Sequence, residues 1–210
     1  MNYYYPIFGL FLIFVAWQAY ERNKSTKKAN AESEDFWVRE SEANSVRRAS
    51  LDNENYITIS EDLFIENLWP DYAVDEELSR CSNILSSLKT ERILNLSGKT
   101  TTDLKLQYGV ANLNDLTQYD ENYTLMVQTI AAYGTRLMTL QNIDAAIKVF
   151  EFGIDSLTEI STNYKHLATL YVEKNQPEKI DHLIEVANGL DSLMKPSILR
   201  TLEEIKSGVV

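Results

Sequence analysis

Two consecutive blocks of 34 residues, Val127–Ile160 and Ser161–Met194, carry small and apolar side chains at matching places. Gly134 aligns with Ala168, Leu137 with Tyr171, Ala146 with Ile180, Phe150 with Ile184 and Gly153 with Ala187. A recurrence of this period narrows the choice of fold sharply, because one small unit must fill each block and bury its apolar face on the next. The small positions (Gly134, Ala168, Ala146, Gly153, Ala187) allow close approach, while Tyr133, Leu137, Phe150, Leu167, Tyr171 and Ile184 fill the space between. Only seven Gly and four Pro occur in 210 residues. That leaves little room for a turn-rich all-β chain, so an all-α fold is expected.

The period and the small positions resemble the tetratricopeptide repeat (TPR), a helix–turn–helix unit of the same length. The resemblance spans about a third of the chain. It implies a helix A ending near Leu140, a turn at Gln141-Asn142, and a helix B carrying Ala146, Phe150 and Gly153. In the second block the turn is Asn175-Gln176, and Pro177 opens helix B where its missing N–H does no harm. Beyond Pro196, the apolar Ile198, Leu199, Leu202 and Ile205 fit a C-terminal capping helix. The family's turn glycine is replaced by Gln141 and Asn175, and its proline after helix B is missing from both blocks. Two repeats are fewer than the usual three, so upstream helices are expected to complete the stack.

TPR domains bind extended peptides or partner helices in a groove lined by the A helices. Carried over, that groove is Gln128, Ala131, Thr135 and Met138 from the first block, with Thr162, Lys165, Thr169 and Val172 from the second. The family's two-carboxylate clamp places Lys and Asn four residues apart. Here those places hold Ala131 and Thr135, then Lys165 and Thr169. A chaperone-tail ligand is therefore not expected, and the nearly neutral groove suits an apolar or mixed peptide. The plainer alternative is a shallow groove whose residues are simply solvated.

At the other end, Tyr3–Tyr20 contains no charged residue. As a helix it would span about 27 Å at ~1.5 Å per residue, enough for a bilayer core. Tyr3, Tyr4 and Tyr5 at one end, with Trp17 and Tyr20 at the other, match interfacial aromatic belts. A cleaved signal peptide fits less well, since the flank before the apolar run lacks basic residues and Trp17 occupies the minus-three place before Ala19. Residues 3–20 are thus expected to be an uncleaved transmembrane helix. Arg22, Lys24, Lys27 and Lys28 follow it, which sets the N-terminus outside and the C-terminal domain in the cytoplasm.

Residues 21–55 form a polar spacer in this reading. Ala, Glu and Arg recur enough for a helix to continue to about Arg48, without a firm apolar stripe. Arg47-Arg48-Ala49-Ser50 matches a basic-directed kinase site, a short pattern that also arises by chance. Residues 56–73 form an acidic and aromatic strap. It opens on the β-prone Tyr56–Ile59 and carries Leu63, Phe64, Leu68 and Trp69 among carboxylates. These apolar groups are expected to pin the strap to the domain, the alternative being a docking peptide for a basic partner.

The helical domain is placed at 74–208. A helix over Asp75–Lys89 puts Leu78, Cys81, Ile84, Leu85 and Leu88 on one stripe. Thr90 is expected to cap a short helix through Leu96 that Gly98 ends in the left-handed conformation. Another helix starts near Thr102, and Asp120 is expected to cap the long helix of the first block.

Little points to chemistry. The formal charge of −11 repels nucleic-acid phosphate. Cys81 is alone, and His166 and His182 are the only histidines, with no carboxylate or thiol at ligand spacing beside either. Glycine-rich phosphate loops and nucleophile elbows are missing. The expectation is a non-enzymatic, cofactor-free adaptor tethered to the membrane, binding a protein or peptide at the cytoplasmic face. Two rivals stand beside it: an extracytoplasmic accessory factor of a translocation or envelope complex, and a regulatory subunit of a membrane enzyme.

Overall fold

A computed structural model describes residues 14, 17–18, 20–22, 24, 33–70 and 75–208. The described chain is all-helical, with no strand among these residues. Most of the span expected at 3–20 lies outside them. Among the described residues no helix is long and apolar enough to cross a membrane.

The chain divides into two compact units, and the smaller joins residues 33–49 to Thr100–Asn112. Its helices are α1 (residues 33–45) and α4 (Thr101–Tyr108). Thr100 and Asp103 build a capping box on α4, with Asp103 N–H donating to Thr100 Oγ1 at 3.2 Å and Thr100 N–H to Asp103 Oδ2 at 2.9 Å. Among the large apolar residues of α1, Phe36, Trp37 and Val38 are half exposed or more, and only Ala43 is buried outright. Polar contacts hold the pair instead. Glu40 meets Lys105 and accepts from Thr102 Oγ1 at 2.9 Å, and Arg39 pairs with Asp103. After α1 the chain runs extended beside α4, with Ala49 N–H donating to the Tyr108 carbonyl at 3.0 Å. Fully buried Asn112 donates to the carbonyls of Ala49 and Tyr108 at 2.8 and 2.7 Å and accepts from Arg48 Nε at 2.8 Å. Part of the expected spacer is therefore a built element.

The larger unit contains residues 50–99 and 113–208, where described. Its helices are α2 (Ile65–Leu68), α3 (Glu76–Leu88), α5 (Leu113–Thr139), α6 (Ile143–Asp155), α7 (Ser161–Glu173), α8 (Ile180–Gly189) and α9 (Lys195–Lys206). α5 packs on α3 and α6, α6 on α7, and α9 on both α7 and α8. The strap precedes this stack. Leu63 and Ile65 are buried, and Phe64, Leu68 and Trp69 pack against the core, while Ile65 N–H donates to Ser82 Oγ of α3 at 3.0 Å.

Close packing follows the small residues. A Cβ at Gly134 of α5 would lie 2.5 Å from Phe150 of α6, so the ring rests on bare backbone. A Cβ at Gly153 would lie 2.9 Å from Ile130 of α5 and 3.1 Å from Asn163 of α7. Tyr133, Leu137, Phe150, Leu167 and Tyr171 are buried, whereas Ile184 is half-buried on the core.

Three helices end alike. Gln141, Leu157 and Asn175 take positive φ of 60°, 59° and 56° after α5, α6 and α7. Around the first, Asn142 N–H donates to Leu137 O and Gln141 N–H to Met138 O. Thr158 and Leu157 repeat the pattern on Gly153 and Ile154, as do Gln176 and Asn175 on Tyr171 and Val172. These are Schellman endings, which cap the last carbonyls at the expense of a left-handed residue. The first and third lie 34 residues apart.

Two local expectations fail. Residues 91–96 form no helix but an irregular run. One short turn would pay helix nucleation without hiding Ile93, Leu94 and Leu96 together. Out of the helix, all three are buried, and the backbone finds partners: Ile93 O accepts from Ile57 N–H, and Leu94 N–H reaches Tyr119 O. Gly98 does take the left-handed conformation, at φ +79°. Asp120 caps nothing either, since α5 starts at Leu113 and buries Leu116 two turns below Tyr123. Its carboxylate instead accepts from Leu96 N–H at 3.3 Å. The β-prone Tyr56–Ile59 is irregular at the head of the strap, with Ile59 buried.

Candidate functional site

The outward faces of α5 and α7 present the residues singled out from the sequence, apart from Met138. Gln128, Thr135, Thr162, Lys165 and Val172 are exposed, and Ala131, Met138 and Thr169 are half-exposed. Two of the three threonine hydroxyls, those of Thr135 and Thr169, are committed to their own helix, as is that of neighbouring Thr139. Thr135 Oγ1 donates to the Ala131 carbonyl at 2.7 Å, Thr169 Oγ1 to Lys165 O at 2.9 Å, and Thr139 Oγ1 to Thr135 O at 3.0 Å. Threonines that bond back along their helix keep methyls and oxygen lone pairs for solvent, with no free donor. The donors on this face therefore include the side-chain amide of Gln128 and the ammonium of Lys165, both exposed.

A hollow of about 340 Å³ gathers Ala131, Thr135 and Thr162 with Ala132, Thr139, Ile160, Glu77 and Arg136. Gln128, Met138, Lys165, Thr169 and Val172 do not line it. Met138 packs inward against the core. A second hollow, of about 330 Å³, shares Glu77 and Arg136 and adds Asp75, Glu76 and Arg80. The combined surface is apolar and methyl-rich at one end and ionic at the other.

The ionic end is a built arrangement that the sequence did not reveal. Asp75 caps α3 by accepting from Leu78 N–H at 2.9 Å. The same carboxylate accepts from Arg136 Nη2 at 2.6 Å and Nε at 3.2 Å, a two-toothed grip. Glu77 stands 3.6 Å from the same guanidinium. The Arg136 hydrogen bond, then the Leu78 amide, hold the Asp75 carboxyl below its ordinary range. Asp75 reads as a helix start, but nothing local points to an arginine 61 residues away.

Cys81 is buried, and burial pushes its thiol up. His166 is half-buried with its ring 5.7 Å from Phe150, and burial, then Lys165, hold its pKa down. His182 is exposed on α8. Among the described residues, no three His, Cys, Asp or Glu side chains are placed to hold a metal ion.

No family model, characterised protein or solved structure matches the chain.

Proposed function

We propose that the chain is a membrane-tethered adaptor whose TPR-like helical hairpins bind a protein or peptide at the cytoplasmic face, without catalysis. The observation that carries this reading is the repeated geometry at Gln141 and Asn175. At the same 34-residue period, two helices end in the same hydrogen-bonded left-handed turn before a second helix begins. α9 acts as the cap, with Ile198, Leu202 and Ile205 buried beneath it. The open face of α5 and α7 offers methyls, the lone pairs of Thr135 and Thr169, and the donors of Gln128 and Lys165, a chemistry that suits the backbone of an extended peptide with small apolar side chains. The anchor at residues 3–20 and the basic residues after it rest on sequence alone.

Two measurements test this. A photo-crosslinker at Thr135 or Thr169 is expected to trap one recurring partner that the same group at exposed Glu185 of α8 does not. Equal capture from all three positions would remove the groove from the proposal. A reporter enzyme fused after Val210 is expected to be active only in the cytoplasm. Activity only outside it would replace the adaptor with the extracytoplasmic accessory factor.

A further inference from the structure

Ser50 ends the run Arg47-Arg48-Ala49-Ser50 and lies in the non-helical stretch 46–50 after α1. Ser50, Arg47 and Arg48 are all exposed. Ser50 Oγ donates to Asp52 Oδ2 at 2.8 Å and accepts from Asp52 N–H at 3.2 Å. The other oxygen of Asp52 lies 3.5 Å from the Arg92 guanidinium. That guanidinium sits over the ring of Tyr56 at 5.2 Å and that of Tyr119 at 5.9 Å. The two rings meet edge to face at 5.8 Å, and Tyr56 O–H donates to the Leu51 carbonyl at 2.5 Å. The serine hydroxyl is thus the first link of a short chain that ends on a stacked cation.

We propose that Ser50 is a phosphorylation site for a basic-directed serine/threonine kinase, and that the phosphate draws Arg92 away from Asp52. In the transfer, Ser50 Oγ attacks the γ-phosphorus of ATP. The bond from that phosphorus to the β,γ-bridging oxygen breaks, ADP departs with the electron pair, and the hydroxyl proton passes to the kinase's base. Arg47 lies three residues before the acceptor, exposed to meet an acidic kinase groove, and the acceptor stretch is non-helical, so a kinase need only release Ala49 and Arg48 from Tyr108 and Asn112 to engage it. The product places a charge of about −2 and three acceptor oxygens beside the Asp52 carboxylate. The hydroxyl donor is gone and the two anions repel, so the Ser50–Asp52 bond is lost. A guanidinium fork grips phosphate with two teeth, and Arg92 is the cation already paired with Asp52. Its move takes the cation off the Tyr56 and Tyr119 rings and resets the turn at 52–54. This does not depend on the peptide groove, although it needs ATP on the side of the membrane where Ser50 lies.

The test uses the full chain isolated from the cells that make it, with its peptides mapped by mass spectrometry. A phosphoryl group on the Ser50 peptide is expected, with helical Ser45 unmodified. Arg47→Ala is expected to lower Ser50 occupancy about tenfold, the loss of one charged recognition contact. Arg92→Gln is expected to leave occupancy unchanged and to abolish the difference in Tyr56 and Tyr119 ring signals between phosphorylated and phosphatase-treated chain. A Ser50 peptide that is unmodified in every growth condition overturns the proposal. So does a ring-signal difference that survives Arg92→Gln, which would show that the phosphate does not act through that cation.

Discussion

In α5–α9 the helices meet through apolar bulk fitted to absent side chains, as where Phe150 lies on Gly134. In α1 and α4 they meet through Glu40, Lys105, Thr102, Arg39 and Asp103, with Ala43 the only fully buried residue on α1. The difference separates two ways of holding a helix. Apolar packing leaves a periodic stripe in the sequence and is indifferent to protons. A polar latch leaves no stripe, depends on residues about 60 positions apart, and responds to pH.

The largest expected effect strikes the apolar side. Phe150→Ala removes a fully buried ring whose space the backbone of Gly134 cannot refill. It is expected to destabilise the larger unit by about 3–5 kcal/mol, read from denaturant unfolding. Amide exchange should quicken in α5–α7 and stay unchanged in α1. Equal quickening in α1 would mean that the two regions do not unfold separately.

Gly109→Ala is the counterpart on the polar side. Gly109 has φ +81°, and a Cβ there would lie 2.6 Å from the Arg47 carbonyl oxygen. Left-handed strain and a backbone clash together are expected to destabilise by about 2–4 kcal/mol. The loss of amide protection should fall on 33–49 and α4, leaving α5–α7 protected.

Acid should separate the two regions without a substitution. Lys105, then Thr102, lower the pKa of Glu40 from its ordinary 4.5, and Thr100 and Arg39 lower that of Asp103 from 3.8. The unfolded chain therefore binds protons first, so this stability is complete above those ordinary values and is lost as pH falls through the lowered ones. The larger unit is pulled both ways. Asp75, Glu61 and Asp62 are lowered by Arg136, Lys89 and Ser60, whereas burial raises Asp120 on α5, whose charge opposes folding until it is neutralised. Amide exchange followed from neutral to acid pH is expected to release 33–49 before α5–α7. Simultaneous release would contradict a polar latch.

The same contrast sets how much was legible. Helices were expected on either side of turns at Gln141-Asn142 and Asn175-Gln176, and α5 to α8 lie there, because apolar residues spaced for packing are written at fixed positions. α3 was readable from Leu78, Cys81, Leu85 and Leu88 on one stripe. α1 was half-read as a spacer, since Glu40 and Arg39 look solvated until α4 is placed beside them. The run 91–96 misled because Ile93, Leu94 and Leu96 suit a helix as well as an irregular run, and only Tyr119 and Asp120 of α5 decide between them. The Asp75–Arg136 grip at the edge of the groove is a long-range pairing with no local sign. Asn163 is a further case: polar by type, yet fully buried against Gly153, with neither side-chain amide atom hydrogen-bonded among the described residues.

The smallest effects sharpen the comparison within the stack, at its three left-handed residues. Leucine tolerates positive φ poorly and Asn well, with Gln between them. Leu157→Gly removes this strain from a side chain that is 48% exposed, while its carbonyl keeps the bonds from Tyr123 O–H and Asn95 Nδ2. After the added flexibility of glycine in the unfolded chain, a gain of about 1 kcal/mol is expected. Gln141→Gly should gain about half as much, because its side chain makes only a 3.4 Å contact to the Met138 carbonyl. Asn175→Gly should change stability by no more than a few tenths of a kcal/mol. The ranking Leu157, Gln141, Asn175 in thermal unfolding would show that backbone strain alone distinguishes the three endings. A loss at Gln141 equal to the gain at Leu157 would show that the first turn is held by its side chain, and that the two 34-residue blocks end their helices for different reasons.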